Sequence, residues 1–251
     1  MFARQVGDGQ PLLLLHGLLM SGEMFAPVED ALAARRRLVI PDLRGHGRSA
    51  DLPGPYAVDR LAADVARLMD ELGLRRADVL GYSQGGAVAQ QLAHAYPQRV
   101  RRLVLACTFA SNVASTGEWF EALLSPWLLR AIGPGRMAAL VARAGGGPRL
   151  SREQAETLRR ALEANDRTTA VRAHRAMLAF DSRPWIGEIA APTLVVCGSA
   201  DRAVPRRHAE MLMRRIPRAE LCTVLGAGHL LAWTHPTEFV HAVEGWLARP
   251  E

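Results

Sequence analysis

The sequence predicts an α/β fold, in which a mostly parallel, twisted sheet is flanked by helices and carries a helical insertion. Three observations predict it. Short apolar runs alternate with longer helical patterns along most of the chain. The runs are apolar nearly throughout, not at every second position, which marks strands covered on both faces. The alternation lapses between residues 111 and 189 and then resumes.

The elements follow in order. Residues 2–6, followed by Gly7-Asp8-Gly9, read as an edge strand and a hairpin turn. Runs at 12–15, 38–40, 77–80, 103–106 and 193–196 read as buried strands, with 221–225 a weaker sixth. Between them, residues 58–72 place Leu61, Val65, Leu68 and Leu72 on one helical face and keep Asp59, Asp64, Asp70 and Glu71 off it. A small-residue helix over 84–96 is stopped by Pro97, and residues 236–247 form a closing helix. The stretch 111–189 reads as several helices broken at Gly133-Pro134-Gly135 and Gly145-Gly146-Gly147-Pro148. The expected organisation is a core of 1–110 and 190–251 interrupted by a helical cap of 111–189.

Composition excludes several chemistries. Among 251 residues there is no lysine, so all 31 Lys+Arg positions are arginine. No lysine Schiff base, lysine general base or phosphate-loop lysine is available. The formal charge is +6. The arginines fall in short groups (35–37, 75–76, 101–102, 206–207, 214–215) at seams between elements, where cations suit helix C-termini and stay in water. No aromatic platform interleaves with them, so nucleic acid is not an expected partner. Cys107, Cys197 and Cys222 sit in apolar runs without metal or disulfide spacing and read as buried free thiols. No secretion signal or membrane-length apolar stretch is seen, so the expected location is cytoplasmic, as a monomer or homodimer.

Chemistry concentrates at Gly81-Tyr82-Ser83-Gln84-Gly85, between a predicted strand and a predicted helix. Small neighbours allow the tight turn that lifts a serine hydroxyl above a sheet, and the helix start offers free amides to an oxyanion. A serine hydroxyl needs a base, and that base an orienting acid. Asp201 follows the strand at 193–196 and His229 follows the run at 221–225, so all three fall at C-terminal strand ends. Asp201 has a second reading as the cap of the helix beginning near Pro205. His46, between two glycines, reads as a turn residue. His94, His174, His208 and His241 lie on helical segments and read as surface or interface groups. No histidine–carboxylate set has metal-ligand spacing that competes with these three residues.

These blocks, with His16-Gly17 and with Asp42-Leu43-Arg44-Gly45-His46-Gly47-Arg48-Ser49, make the chain resemble the α/β-hydrolase superfamily over nearly its whole length. The resemblance implies an α/β-hydrolase fold with a variable cap and no cofactor. It implies Ser83 as nucleophile, His229 as general base and then acid, Asp201 as the residue fixing the imidazole tautomer, and the backbone N–H groups of Leu18 and Gln84 as the oxyanion hole. The side chains of Leu18 and Gln84 are then a matter for the pocket.

Departures from relatives narrow the reaction. Leu18-Leu19-Met20-Ser21 replaces the Ser-Gly-Pro-Gly loop of the carbon–carbon hydrolases and the Trp-Pro of cofactor-free haloperoxidases. Ser83 stands where dehalogenases and epoxide hydrolases carry aspartate. Residues 39–112 look most like enol-lactone hydrolases and simple carboxylesterases. The expected partner is therefore a small, largely apolar ester or lactone, in a pocket lined by Met20, Trp119, Trp127, Val204 and Leu230. Each tryptophan has an equal reading as core. Arg130, Arg136 and Arg143 are the cap cations able to face such a pocket. An acyltransferase or perhydrolase with the same three residues, and a non-catalytic binding protein on the same fold, remain as alternatives.

Overall fold

The computed structural model describes residues 1–111, 116–145 and 150–250, apart from the side chains of 116–123, 138, 139 and 141–145. Among these residues seven strands form one sheet: β1 (Ala3–Val6), β2 (Gln10–Leu15), β3 (Arg36–Pro41), β4 (Ala77–Tyr82), β5 (Val100–Ala106), β6 (Thr193–Gly198) and β7 (Ala219–Val224), in the spatial order β1-β3-β2-β4-β5-β6-β7. All neighbouring pairs are parallel except β1 with β3. The helices are α1 (Ala26–Ala33), α2 (Val58–Glu71), α3 (Gln84–Ala95), α4 (Thr116–Gly145), α5 (Arg152–Glu163), α6 (Arg167–Leu178), α7 (Arg206–Arg215), the single turn α8 (Leu231–Thr234) and α9 (Pro236–Leu247).

The hairpin expected at Gly7-Asp8-Gly9 does not form. β1 is indeed an edge strand, but it pairs with β3, from Ala3 opposite Pro41 to Val6 opposite Leu38. β2 is hydrogen-bonded to β3 on one side and β4 on the other, so it has no free edge for its sequence neighbour.

The near-continuous apolar runs are explained by two cores, one on each face. Leu13, Leu15, Val39, Val79, Leu103, Leu105 and Val195 pack with residues of α2, α3 and α7. The alternate positions Leu12, Leu14, Leu38, Ile40, Leu80, Val104, Leu194 and Val196 pack with α1 and α9. Side chains alternate across a strand, so both registers must be apolar when both faces are covered.

Burial of arginine departs from expectation. Arg36 and Arg102, read as solvated, are buried, as is Arg44. Arg36 meets Glu244 on α9 and Asp78 on β4. Arg102 donates to the carbonyls of Trp246, Arg249 and Pro250, so it does serve a helix C-terminus, but from inside the protein. Arg44 forms a two-pronged bond to buried Asp64 at 2.6 and 2.9 Å and reaches the Pro53 carbonyl at 2.7 Å. That contact explains why Asp64 lies on the core side of α2 instead of with the other acids.

The helices α4, α5 and α6 lie between β5 and β6. α4 is bent at Gly133, where φ is +80° ahead of Pro134. The expected break at 145–148 falls largely outside the described residues, and α5 restarts beyond it from a capping box of Ser151 and Gln154. Ser111 and Asp181 form an isolated bridge between the two ends of this segment. Among the described residues no helix is long and apolar enough to cross a membrane.

Candidate active site

Ser83 stands between β4 and α3 with φ +53° and ψ −115°, a conformation that non-glycine residues rarely adopt. The turn depends on bare backbone around it. A Cβ on Gly81 would lie 2.3 Å from the Gly85 carbonyl oxygen, and one on Gly85 would lie 2.0 Å from the Leu15 carbonyl oxygen. β4, the start of α3 and β2 therefore meet at contact distance, and the serine is pushed out at the C-terminal edge of the sheet.

The structure brings the other two residues to it. His229 Nε2 is 3.2 Å from Ser83 Oγ, and His229 Nδ1 is 2.9 Å from Asp201 Oδ2. The other oxygen of Asp201 accepts the N–H groups of Ala203 and Val204 at 2.9 and 2.8 Å. The second reading, as cap of the helix near Pro205, does not hold: α7 starts from Pro205 with no side-chain cap, and Asp201 instead organises the turn ahead of it with one oxygen while the other meets the histidine. Burial works against an imidazolium at His229, yet the charge of Asp201 and its hydrogen bond outweigh it and raise the pKa above the ordinary value. Tyr82, whose hydroxyl burial keeps protonated, donates to the His229 carbonyl at 2.6 Å. Cys107 shares this corner, its Sγ within 4.8 Å of the ligand atoms of Asp201 and His229. Burial, then the charge of Asp201, pushes its thiol pKa well up, so it backs the carboxylate as a neutral group.

Two loops complete the mouth. Gln84 is the first residue of α3, so its amide has no partner within the helix. Leu18 follows Gly17, whose ideal Cβ position is 3.4 Å from Ser83 Cβ. His16 fixes this loop from beneath, a role the sequence motif alone did not reveal. Its Nε2 accepts the Leu43 N–H at 2.9 Å, so its Nδ1 carries the proton and donates to the Gly17 carbonyl at 2.8 Å. Asp42 ties the neighbouring loops by accepting the N–H groups of Gly22 and Arg48. His46 is a turn residue as expected, buried edge-on against His16.

Above Ser83 and His229 lies a cavity of about 240 Å³. Met20, Val204 and Leu230 line it, with Leu18, Leu19, Met24 and Phe109 from the sheet side and Leu129, Met137, Leu158, Leu162 and Met177 from α4, α5 and α6. Trp127 does not. It is 63 % exposed, with Arg175 over its ring, because it falls on the outer face of α4 while Leu129 turns inward. The side chain of Trp119 lies outside the described residues, as does that of Arg143, while Arg130 and Arg136 are exposed and do not line the cavity. Gln84 also does not line it, its side chain being wholly buried. Of the histidines read as surface or interface groups, His208 is buried and His174 faces the cavity from α6, so neither is a surface group. His94 stacks on Trp185, and His241 is exposed.

A serine exposed on a strained turn, a histidine within reach and a buried carboxylate behind it define a hydrolase-type site on a mostly parallel sheet. The family model for the alpha/beta hydrolase fold matches residues 10–236, and this chain belongs to that family. A poly(3-hydroxyalkanoate) depolymerase of Ectopseudomonas oleovorans is 33 % identical over 233 residues, covering 89 % of this chain and 79 % of the relative. A thermophilic esterase from Thermogutta terrifontis superposes with a TM-score of 0.88 at 28 % identity, over 98 % of this chain and 92 % of the other. The enol-lactonase from Burkholderia xenovorans gives 0.87 at 26 % identity, over 99 % and 96 %.

Proposed function

We propose that this protein is a serine hydrolase that cleaves a carboxylic ester or lactone through an acyl-enzyme, with residues 111–189 as a cap over a core of 1–110 and 190–251. The observation that carries this reading is the chain of contacts from Ser83 Oγ through His229 to Asp201 at the floor of an apolar cavity. Ser83 attacks the carbonyl carbon as His229 Nε2 takes its proton. The tetrahedral oxyanion is met by the amides of Leu18 and Gln84, and His229 then protonates the departing alkoxide. Water, deprotonated by His229, adds to the acyl-enzyme, and Ser83 leaves with the proton restored. Asp201 holds the Nδ1–H tautomer throughout. Relatives described as an esterase and an enol-lactonase support the ester and lactone class.

The direct test is covalent labelling by a fluorophosphonate, expected in the wild type and absent in Ser83→Ala. Equal labelling of the two proteins would sink the reading. An ester and lactone panel graded by acyl-chain length then separates hydrolysis from transfer, with water, peroxide and alcohol as competing acceptors.

Two further outcomes follow from the geometry. The base must be neutral to act, and its pKa is raised, so kcat/KM should fall with acidity through a midpoint above about 6.5. In Asp201→Asn that midpoint should move down, and an unmoved acid limb would dissociate His229 from the rate. Tyr82→Phe removes the donor to the His229 carbonyl and should lower stability by about 1–2 kcal/mol. Its kcat should drop with KM little changed, as expected for a group that positions the base; urea unfolding and steady-state kinetics check both halves.

A further inference from the structure

The cavity has one polar feature that the reaction above does not use. His174 on α6 lines it, surrounded by leucine and methionine side chains, and its Nε2 is 2.8 Å from Ser125 Oγ on α4. Burial lowers its pKa to about 4, so the ring is neutral at neutral pH. A neutral imidazole has two hydrogen-bonding nitrogens. One is engaged by Ser125, and among the described residues the other has no hydrogen-bond partner. That nitrogen, on a half-buried ring in the cavity wall, is left to a molecule brought into the cavity. The scissile group cannot be that partner, because Ser83, Leu18, Gln84 and His229 already attend to it on the sheet side.

We infer that His174, held by Ser125, is a specificity-determining residue that hydrogen-bonds a hydroxyl on the acyl part of the substrate, so that the preferred substrates are esters or lactones of hydroxy acids. This rests on the ester-hydrolase reading. A hydroxyl fits better than a keto oxygen or a bare chain because it both donates and accepts. If Ser125 donates to Nε2, Nδ1 carries the proton and donates to the substrate. If Nε2 donates to Ser125, Nδ1 accepts from the substrate. A hydroxyl answers either arrangement, a keto oxygen only the first. The apolar remainder of the wall then takes the alkyl portion of the same acyl group.

The test uses ethyl esters of one acyl-chain length, unsubstituted or carrying a single hydroxyl at successive positions, with acid release followed for the full-length protein. The readout is the ratio of kcat/KM between hydroxylated and plain ester within each protein, which is independent of the fraction folded. In the wild type one positional isomer should be favoured by roughly tenfold or more. The ratio should fall to one or below in His174→Leu and be intermediate in Ser125→Ala. His174→Asn, which retains a donor and an acceptor, should keep part of the preference and stands in if the leucine variant fails to fold. A wild type with no hydroxyl preference, or a preference that survives in His174→Leu, overturns the proposal and leaves the pair as a structural pin between α4 and α6. Absence of Ser83-dependent labelling and of turnover with every ester overturns the parent reading and this one with it.

Discussion

Ser83→Ala and His229→Ala should each lower kcat toward an ester by about 10⁴- to 10⁶-fold, and the double variant should lose little more than either single one. The two side chains carry one event. Without the hydroxyl there is nothing for the imidazole to deprotonate, and without the imidazole the hydroxyl stays protonated. On the proposed reading the residual rate comes from the Leu18 and Gln84 amides and from apolar binding, neither of which these substitutions touch. Ser83 is small, the elbow is held by glycine contacts instead of the serine side chain, and His229 lines the cavity instead of the sheet's hydrophobic cores. Both variants should therefore fold, and unchanged thermal unfolding is the control. Strict additivity of the two losses in free energy would mean that the side chains act independently, and the contact at 3.2 Å would not be a functional one.

What the sequence made legible follows from what is local in the chain. The elbow is a steric problem solved within five residues, so Gly81, Ser83 and Gly85 announce it. Asp201 and His229 were reachable because strand ends could be read from apolar runs. Features settled by partners far along the chain were not legible. The partner that keeps Arg36 buried is Glu244, 208 positions later, and no local pattern reveals it. β1 looked like one arm of a hairpin because nothing local reveals that β2 is paired on both sides. Trp127 and Leu129 differ by two positions on one helix, which is enough to put one in water and the other in the cavity. His174 was within reach of pattern reading. Ala170, Val171 and Met177 are buried on α6, and a stripe drawn through 170, 171, 174 and 177 would have turned the histidine inward.

Acidification from about pH 6.5 toward pH 3 should remove on the order of 5 kcal/mol of folding free energy through His16 alone. The ring is fully buried, and Nε2 already accepts the Leu43 N–H. A second proton would place two donors against each other with no water to relieve them. Burial first, and then the neighbouring His46, push its pKa down to about 3, against a partial opposing effect of the Gly17 carbonyl. The unfolded chain protonates near 6.5, so between these values it binds a proton that the native state refuses. Stability is complete above the unfolded value and is lost as pH falls through the folded one. His46, also lowered by burial, and His174, lowered to about 4, add to the loss in the same sense. Carboxylates titrate in the lower part of this window, so the diagnostic comparison is His16→Gln. That variant should be less stable at pH 7, because the bridge from Leu43 to Gly17 is disturbed, yet show a shallower decline between pH 6.5 and 4.5 in urea unfolding. A slope equal to that of the wild type would remove His16 from the account.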